Sequence, residues 1–254
     1  FPNISTASDH SEVEDEHGFS YKEETNKGPN KWNQMNSNWT TCGTGKLQSP
    51  IDIIDRAVKV VPDLGKLERH YKPAPAVAIN RGHDIMVTWK GGDAGKIKIN
   101  GTDYKLMQSH WHSPSEHTVN GIRYDAEVHF VHESSDGKLA VIAILFKYGS
   151  PDPFLSELLR HIKPLDPKEE KELGIINPRQ LKCGKRYYRY IGSVTVPPCT
   201  EGVVWTVFKK VITISREQVR ALKAAVHDGF EDNARPIQKL HRRPIQLYAP
   251  SRKL

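Results

Sequence analysis

Short segments in which apolar and polar residues alternate recur along most of the chain. The clearest of them are residues 74–79, 84–90, 96–100, 103–112, 122–133, 138–148 and 202–214. Alternation with a period of two is typical of β-strands that bury one face, and turn-forming residues separate the segments. The pattern predicts an α+β, β-dominated single domain with one largely antiparallel sheet and few helices.

Two helical segments interrupt the strands. Asp152 is the predicted cap of the first, with Pro153 at its first position, and Ser215 with Gln218 predicts a capping box at the start of the second. Gly229 is the predicted stop of the second helix. The apolar stripes are Phe154, Leu155, Leu158, Leu159 and Ile162 in the first helix and Val219, Leu222 and Val226 in the second. Each stripe predicts a helix that packs one face on the sheet.

The two ends of the chain differ from its middle. Residues 1–18 are polar and acidic with few apolar anchors, which predicts a flexible tail before a folded domain at 19–254. The chain begins at Phe1 without a methionine or a signal peptide, so we expect a processed mature form. The apolar run 139–146 is too short to span a membrane, and the C-terminus has no hydrophobic tail.

Positive charge is the main compositional feature. The formal net charge is +7, and basic clusters occur at residues 182–186, 209–210 and 241–243. Such clusters bind nucleic acids or acidic surfaces in some proteins and form a solvated basic face in others. Because no nucleic-acid-binding motif accompanies them, we favour the solvated face and expect no nucleic-acid partner.

Glycosylation motifs and cysteines indicate the secretory route. The Asn-x-Ser/Thr motifs make Asn3, Asn38 and Asn100 candidate glycan acceptors if the chain enters that route. The cysteines are Cys42, Cys183 and Cys199. An odd number leaves one unpaired or intermolecular, and a disulfide would fit an oxidising compartment.

Histidines give the strongest indication of chemistry. His110 and His112 lie two positions apart in one predicted strand, and His129 lies in the next. Side chains at i and i+2 of a strand point to the same face, so these two imidazoles share a face with Gln108 and Leu106. Three imidazoles with an open fourth position are the pattern of a catalytic zinc site. The alternative is ordinary surface or core histidines, since the chain contains 12.

A turn between the two histidine strands predicts that they pair. Asn120-Gly121 is a strong hairpin signal. If a two-residue turn there were followed by unbroken pairing, His112 would lie opposite His129. Pro114 cannot donate a backbone hydrogen bond, so it is the point at which such a ladder would break.

Ordered motifs resemble those of the α-class carbonic anhydrases. They are Lys46-Leu-Gln-Ser-Pro-Ile-Asp52, Gln108-Ser-His-Trp-His112, Ser115-Glu-His-Thr118, Ala126-Glu-Val-His-Phe-Val-His132 and Gly192-Ser-Val-Thr-Val-Pro-Pro-Cys199. Each motif alone is weak, whereas the ordered set is specific. With Gly28-Pro29 and Trp32 near the start and Asn233-Ala-Arg-Pro236 near the end, the resemblance covers roughly residues 19 to 248. The cysteines, the glycosylation motifs and the segment Tyr187-Tyr-Arg-Tyr190 look like those of secreted plant members.

The resemblance implies a twisted central sheet flanked by short helices, with zinc at the base of a cleft. It implies reversible hydration of carbon dioxide to bicarbonate and a proton by zinc-bound hydroxide. In this family zinc lowers the pKa of its bound water to about 7. His110, His112 and His129 would be the zinc ligands, and Gln108 and Glu127 would accept the other ring N–H of His110 and His129.

The resemblance also assigns roles around the metal. Thr195 would accept a hydrogen bond from the hydroxide and donate its own proton to Glu116. His83 would carry protons between the site and buffer, which suits the usual pKa of an imidazole. The wall that receives carbon dioxide would be apolar. Its matched residues are Val131, Val141, Val194, Val203 and Trp205. Val196 is also placed in this pocket, although many active members have a hydroxyl or an imidazole at that position.

Further implications of the resemblance concern the disulfide, partners and location. Cys42 and Cys199 match the disulfide of secreted members, which leaves Cys183 as a free thiol. The substrates would be carbon dioxide and bicarbonate, the inhibitors sulfonamides or anions, and the chain a monomer or homodimer. Secretion would end outside the cell, in the cell wall, in a vacuole or in an exuded fluid. Two functions compete with the lyase: a storage or binding protein of the same fold, and a zinc esterase.

Overall fold

The computed structural model describes residues 18–89, 94–162, 169–226 and 229–250, with only the backbone of Ile162. Nearly all of the tail predicted at residues 1–18 lies outside this part, so its flexibility stays a prediction. Within the described residues, none of the helices has the length and apolar character needed to cross a membrane.

β-Strands dominate the described residues. Their bounds are Asp52–Ile53 (β1), Lys59–Val60 (β2), Glu68–Tyr71 (β3), Ala74–Asn80 (β4), Ile85–Trp89 (β5), Gly95–Ile99 (β6), Thr102–His112 (β7), Thr118–Val119 (β8), Ile122–Arg123 (β9), Ala126–Ser134 (β10), Leu139–Tyr148 (β11), Glu170–Ile176 (β12), Tyr187–Ser193 (β13), Glu201–Phe208 (β14), Ile212–Ile214 (β15) and Gln246–Tyr248 (β16). The α-helices are Trp32–Met35 (α1), Thr41–Thr44 (α2), Pro153–Ile162 (α3) and Arg216–Ala225 (α4). The expected α+β, β-dominated fold is confirmed.

One large mixed sheet carries the structure. Its strands neighbour one another in the order β12-β4-β5-β7-β10-β11-β14-β13-β16-β2, with β15 beside β11 and with β6 joining β3 to β7. Most pairings are antiparallel, as predicted, whereas β11 pairs in parallel with β14 and β15. The predicted segments 122–133 and 202–214 each divide into two strands, β9 with β10 and β14 with β15.

The central strands β10 and β11 of the large sheet are buried on both faces along most of their length. On one face Trp111 and Phe130 stack near Phe154 of α3, at ring distances of 6.3 and 6.2 Å. On the other face Val141 and Trp205 belong to a second apolar cluster. This second face also carries the histidines described below.

Both predicted helices begin where the sequence indicates. The Asp152 carboxylate accepts a hydrogen bond from the Leu155 N–H at 2.8 Å. Ser215 and Gln218 form the predicted capping box, in which each side chain accepts from the backbone N–H of the other. These bonds satisfy N–H groups that the first turn of a helix leaves without intrahelical partners.

The end of α4 differs from the prediction. The helix ends at Ala225, and Val226 is already extended, with φ −94° and ψ 165°. The Asn80 side-chain amide donates to the Ala225 carbonyl at 2.7 Å and so satisfies a terminal carbonyl from outside the helix. The predicted stop at Gly229 is therefore wrong, because a side chain from β4 ends the helix first.

The two histidine strands pair in a register two residues away from the predicted one. Glu127 lies opposite His112, and His129 lies opposite His110. The Asn120-Gly121 turn does form, but it joins only β8 and β9, because residues 113–117 leave the ladder after β7. The predicted pairing of His112 with His129 is wrong, yet an even shift keeps every side chain on its face.

A bulge in β7 moves one predicted side chain to the other face. The register shifts between Val131 and His132, which pair with Gln108 and Leu106, so that Met107 is an extra residue. Leu106 consequently packs in the apolar cluster on the helix-covered face. The predicted placement of Leu106 beside Gln108 is wrong for this reason.

Candidate metal centre and active site

Three imidazoles from β7 and β10 meet on the face of the sheet opposite to α3. The ring nitrogens that His110, His112 and His129 offer lie within 4.8 Å of one another. His110 Nε2 and His129 Nδ1 are 3.3 Å apart. The three residues are only 1–3% exposed. The predicted histidine set is thus brought together in a site that is almost closed to bulk water.

Two of the imidazoles are oriented by side chains two residues before them on the same strand. His110 Nδ1 lies 2.8 Å from Gln108 Oε1, and His129 Nε2 lies 2.8 Å from Glu127 Oε1. Because these oxygens accept, the partner nitrogens carry the protons. His110 Nε2 and His129 Nδ1 are left with lone pairs, which is the form in which imidazole binds a metal.

The third imidazole is oriented by a backbone group from far along the chain. His112 Nδ1 lies 2.7 Å from the carbonyl oxygen of Asn233. Within the described residues, His112 Nε2 is buried and has no hydrogen-bond partner. A buried polar atom of this kind is costly unless something occupies the space beside it. Three such neutral nitrogens match the donor set of zinc, so the residues fit the metal that the sequence implied.

The electrostatic surroundings favour the neutral form of two ligands and place a carboxylate beside the third. Burial lowers the pKa of His110 and of His129, which keeps both imidazoles neutral. Burial also opposes a charge on His112, but the Glu116 carboxylate, 3.6 Å from His112 Nε2, outweighs it and raises the pKa of His112. A cation placed among the three nitrogens would be stabilised by the same carboxylate.

Behind Glu127 lies a further histidine for which the sequence predicted no role. His117 Nδ1 is 2.6 Å from Glu127 Oε1, and His117 Nε2 is 2.7 Å from the Tyr190 hydroxyl. Burial alone would raise the pKa of Glu127, but the electrostatic interactions and hydrogen bonds with His117 and His129 hold it well below its usual range. His117, Glu127 and His129 lie close enough to share an ion. Their facing atoms already hydrogen-bond to one another, so they form a supporting network.

Thr195 lies in a tightly held loop after β13. Ser193 and Ser49 exchange hydrogen bonds, each backbone N–H donating to the other side chain at 3.0 and 2.9 Å. The Cys199 N–H donates to the Val196 carbonyl at 2.9 Å and closes the loop. Thr195 is only 4% exposed, which places it among the buried polar residues.

Glu116 is buried, and one of its two carboxylate oxygens accepts a hydrogen bond. Its Oε1 accepts the Arg235 backbone N–H at 2.9 Å. Its Oε2 has no hydrogen-bond partner in the described part of the chain. The hydrogen bond that the resemblance implies from Thr195 to Glu116 is therefore not formed in this structure, and the acceptor that it would use is vacant.

The predicted disulfide is present. Cys42 and Cys199 are bonded, with Cα atoms 5.0 Å apart, and Cys183 is a free, partly buried thiol. The bond lies in a cluster of aromatic side chains that includes Trp32 and Trp39. Because Cys199 ends the loop that carries Thr195, the disulfide fixes one end of that loop.

Most of the predicted substrate wall packs together. The Trp205 ring lies 4.8 Å from the His129 ring, which places the wall against the metal-facing imidazoles. Val196 differs, since it packs in the aromatic cluster around the disulfide. The predicted wall residues found in one cluster are Val131, Val141, Val194, Val203 and Trp205.

His83 is buried beneath aromatic side chains. It is 0% exposed, and its ring lies 5.3 Å from the Phe19 ring and 6.3 Å from the Phe230 ring. Its backbone carbonyl accepts from the Asn233 side-chain amide at 3.0 Å, so its loop is tied to the residue that orients His112. A proton carrier must exchange with buffer, and the structure shows His83 covered, so its shuttle role stays a prediction.

Two of the three candidate glycan acceptors lie in the described part of the chain. Asn38 and Asn100 are both exposed, which leaves them accessible to modification. Asn3 lies outside the described residues.

The comparison with protein families agrees with this site. The family model of the eukaryotic-type carbonic anhydrases matches residues 27–249. The chain therefore belongs to the eukaryotic-type, or alpha, carbonic anhydrase family. Among curated relatives, it is 56% identical to alpha carbonic anhydrase 4 of Arabidopsis thaliana over 252 residues, which cover 99% of this chain and 92% of that protein. The predicted family and class of enzyme, carbonic anhydrase, are confirmed.

Solved structures share the fold closely. A crystal structure of dioscorin complexed with ascorbate superposes with a TM-score of 0.90 at 45% identity, and covers 92% of this chain and 99% of that chain. The alpha-carbonic anhydrase from Thermovibrio ammonificans in complex with the inhibitor sulfanilamide gives a TM-score of 0.82 at 37% identity, covering 90% of this chain and 98% of that chain.

Proposed function

We propose that the chain catalyses zinc-dependent, reversible hydration of carbon dioxide to bicarbonate and a proton. The observation that carries the proposal is the set of three buried nitrogens, from His110, His112 and His129, that face one another while their partner nitrogens are hydrogen-bonded. In this family bound zinc lowers the pKa of a water molecule to about 7, which supplies a nucleophile at neutral pH.

Three acceptors hold the ligand rings in the productive tautomer. Gln108, Glu127 and the Asn233 carbonyl each keep a proton on the nitrogen that faces away from the site. Rings fixed in this way lose little freedom when the metal binds, and the ionised Glu127 raises the basicity of His129. These acceptors are positioning groups, since they act through the ligands.

Thr195 and Glu116 orient the attacking oxygen. The Glu116 Oε2 atom is a buried acceptor with no hydrogen-bond partner among the described residues, and we assign it the Thr195 hydroxyl proton. The Thr195 oxygen would then accept a hydrogen bond from the attacking hydroxide, which keeps its proton, so that a lone pair of the hydroxide is directed at the substrate carbon. The Thr195 backbone N–H polarises the substrate oxygen.

The apolar wall selects a small neutral substrate. Val141, Val203 and Trp205 offer no charge or hydroxyl at the metal side of the cluster. Carbon dioxide has no net charge and binds such a wall by dispersion, whereas bicarbonate leaves it readily. The wall and the Thr195–Glu116 pair favour carbon dioxide over activated esters as the natural substrate.

His83 carries the released proton to buffer in this proposal. Its imidazole must reach water, and the Phe19 ring is one of the groups that cover it. We expect His83→Ala to slow hydration at low buffer concentration, with recovery when a small imidazole buffer is added. Equal rates for parent and variant at low buffer would remove His83 from the mechanism.

Stopped-flow hydration of carbon dioxide tests the main proposal. Fast hydration that zinc chelation abolishes and zinc restores is expected, and sulfanilamide, the inhibitor in the Thermovibrio complex, should block it. His129→Ala should lose both zinc and activity. His132→Gln is the matched control, because His132 lies on the same strand and pairs with the Tyr71 hydroxyl at 2.7 Å, away from the three ligands. Tight zinc without hydration would refute the catalytic proposal.

The similarity to dioscorin favours a second candidate, a storage or small-molecule binding role without catalysis. That structure is complexed with ascorbate. Ascorbate titrated into the zinc-loaded chain separates the two functions. Saturable ascorbate binding by a protein that lacks hydration activity would support the binding role.

We also place the chain in the secretory route. The Cys42–Cys199 disulfide fits an oxidising compartment, and exposed Asn38 and Asn100 lie in glycosylation motifs. Mass measurement of the secreted protein before and after glycan removal tests this placement. Light scattering on the same sample distinguishes the two states that the sequence left open, monomer and homodimer.

A further inference from the structure

A concave basic surface lies outside the metal centre and shares no residue with it. Two neighbouring cavities form it, of about 550 and 480 Å³, and Gly184 and Lys185 line both. We call this surface the basic groove. Its cationic lining residues are Lys66, Arg69, Arg179, Lys185, Arg186, Lys209 and Lys210.

Negative charge is scarce in the basic groove. Among the described residues that line it, Glu68 is the only carboxylate. Outside the lining, Asp55 pairs with Lys209 at 2.5 Å. The lining cations other than Lys209 therefore outnumber Glu68, the one lining carboxylate, several-fold. Positive potential is concentrated in this concave surface, because a cleft lined by one sign of charge focuses the electric field.

The fold builds the basic groove from segments that are separate in sequence, residues 66–71, 179–186 and 208–210 together with Pro250. The Lys209 N–H donates to the Arg186 carbonyl at 3.0 Å, which fixes the second and third of these segments side by side. At Gly184 a Cβ atom would lie 2.7 Å from the Lys210 Cβ, so the glycine permits this close approach. The basic clusters at residues 182–186 and 209–210, which the sequence analysis interpreted as a solvated basic face, thus contribute to one concave surface.

Packing also holds some of the cations in place. The Arg69 guanidinium lies over the Phe208 ring at 5.6 Å, and the Lys209 ammonium lies over the Tyr188 ring at 5.0 Å. A cation already held by an aromatic ring loses less side-chain freedom when an anion binds. The basic groove is thus more ordered than a set of independent surface lysines.

We propose that the basic groove binds an acidic polysaccharide, a chain that carries one carboxylate on successive sugars. Two joined cavities suit an extended polyanion, because the cations are spread along them and do not converge on one point. The phenyl and phenol rings that line the groove, Phe208 and Tyr71, are buried, so among the described lining residues only the exposed His70 imidazole offers the bases of a single-stranded nucleic acid a ring to stack on. The disulfide fits an oxidising compartment, where nucleic acids are not the prevalent polyanions.

Fluorescence anisotropy with a labelled oligogalacturonate and the zinc-loaded full chain tests the proposal. Binding should weaken as salt increases. The double variant Lys185→Gln/Lys210→Gln should lose about tenfold in affinity, since each exposed ion pair contributes modestly. The matched control is Lys31→Gln/Lys147→Gln, because these exposed lysines line neither cavity. All four lysines are outside the site, so carbon dioxide hydration by both variants should be unchanged.

Cys183 reports occupancy directly, because this free thiol lines the larger cavity. Bound oligogalacturonate should slow alkylation of Cys183, and the groove variant should lose this protection. Equal affinity of the two double variants, or binding without protection of Cys183, would overturn the proposed location. Tighter binding of duplex DNA with the same number of charges would overturn the ligand class.

Discussion

Breaking the Cys42–Cys199 disulfide should destabilise the fold strongly while leaving zinc bound. The bond joins residues 157 positions apart, so it closes most of the chain into one loop. In the unfolded state the disulfide-closed loop excludes many conformations that an open chain can adopt. Removing the disulfide restores these conformations and so lowers the free energy of the unfolded chain. The groups that orient the zinc ligands, Gln108, Glu127 and Asn233, make no bond to either cysteine.

The loop length sets the magnitude. For a separation of 157 residues, the chain-entropy treatment gives about 5 kcal/mol at 25 °C. Folded domains are stable by about 5–15 kcal/mol, so the loss is a third or more of the total. At about 2–4 °C per kcal/mol for a chain of this size, the melting temperature should fall by about 10–20 °C.

Denaturant unfolding of three samples measures the effect. The parent is compared with Cys42→Ser/Cys199→Ser and with Cys183→Ser, which removes a thiol but no disulfide. Zinc content of each folded sample is measured by metal analysis. A stability loss below about 1 kcal/mol in the double variant would refute the entropic reasoning. A folded double variant that has lost zinc would refute the independence of the disulfide and the metal centre.

Three further predictions follow from buried groups. Glu127→Gln should weaken zinc binding by about 10–100-fold in chelator competition, because His129 loses an ionised acceptor, whereas Glu133→Gln on the same strand should not. Burial lowers the pKa of His132 to about 3. Below pH 6.5 the unfolded chain therefore binds a proton that the folded chain does not, so stability falls as pH decreases. Comparison of parent and His132→Gln unfolding at pH 7 and pH 4 should show a pH-dependent loss about 3 kcal/mol larger in the parent; parallel losses would contradict the assignment. At Gly192 a Cβ atom would collide with Ser49 Oγ and would lie 2.7 Å from Tyr190 Cε2 and 2.8 Å from Trp205 Cδ1. Gly192→Ala should therefore cost about 1–3 kcal/mol in thermal unfolding, and an unchanged melting temperature would contradict this expectation.

The sequence predicted the sheet face on which a side chain lies more reliably than the residue that lies opposite it on the neighbouring strand. Period-two alternation predicted that His110, His112 and His129 share a face, and this remained true although the register differs by two residues. Parity depends only on the local strand, whereas register depends on how many residues leave the ladder between strands. The same argument failed at Leu106, because the bulge at Met107 adds a residue that alternation alone does not reveal.

Two strands and one ligand-orienting group could not be predicted from alternation of apolar and polar residues. The strand β13 is buried at nearly every position, so it lacks the alternation by which half-buried strands are recognised. The strand β12 is largely exposed and carries a register shift near Gly174, which weakens its pattern. The Asn233 carbonyl that orients His112 is a backbone group, which every residue type provides, so only the fold identifies it.

The path of the last part of the chain has a consequence for biosynthesis. Asn233 fixes His112, the Arg235 guanidinium donates to the Ser49 and Cys42 carbonyls, and Arg243 donates to the Gln48 carbonyl. These contacts connect the final segment to the first third of the chain and to the metal centre. A nascent chain on the ribosome can therefore form most of the sheet but cannot complete the metal centre until residues 233–243 have emerged. Metal acquisition is then a late event, after synthesis of the segment that holds His112 in place.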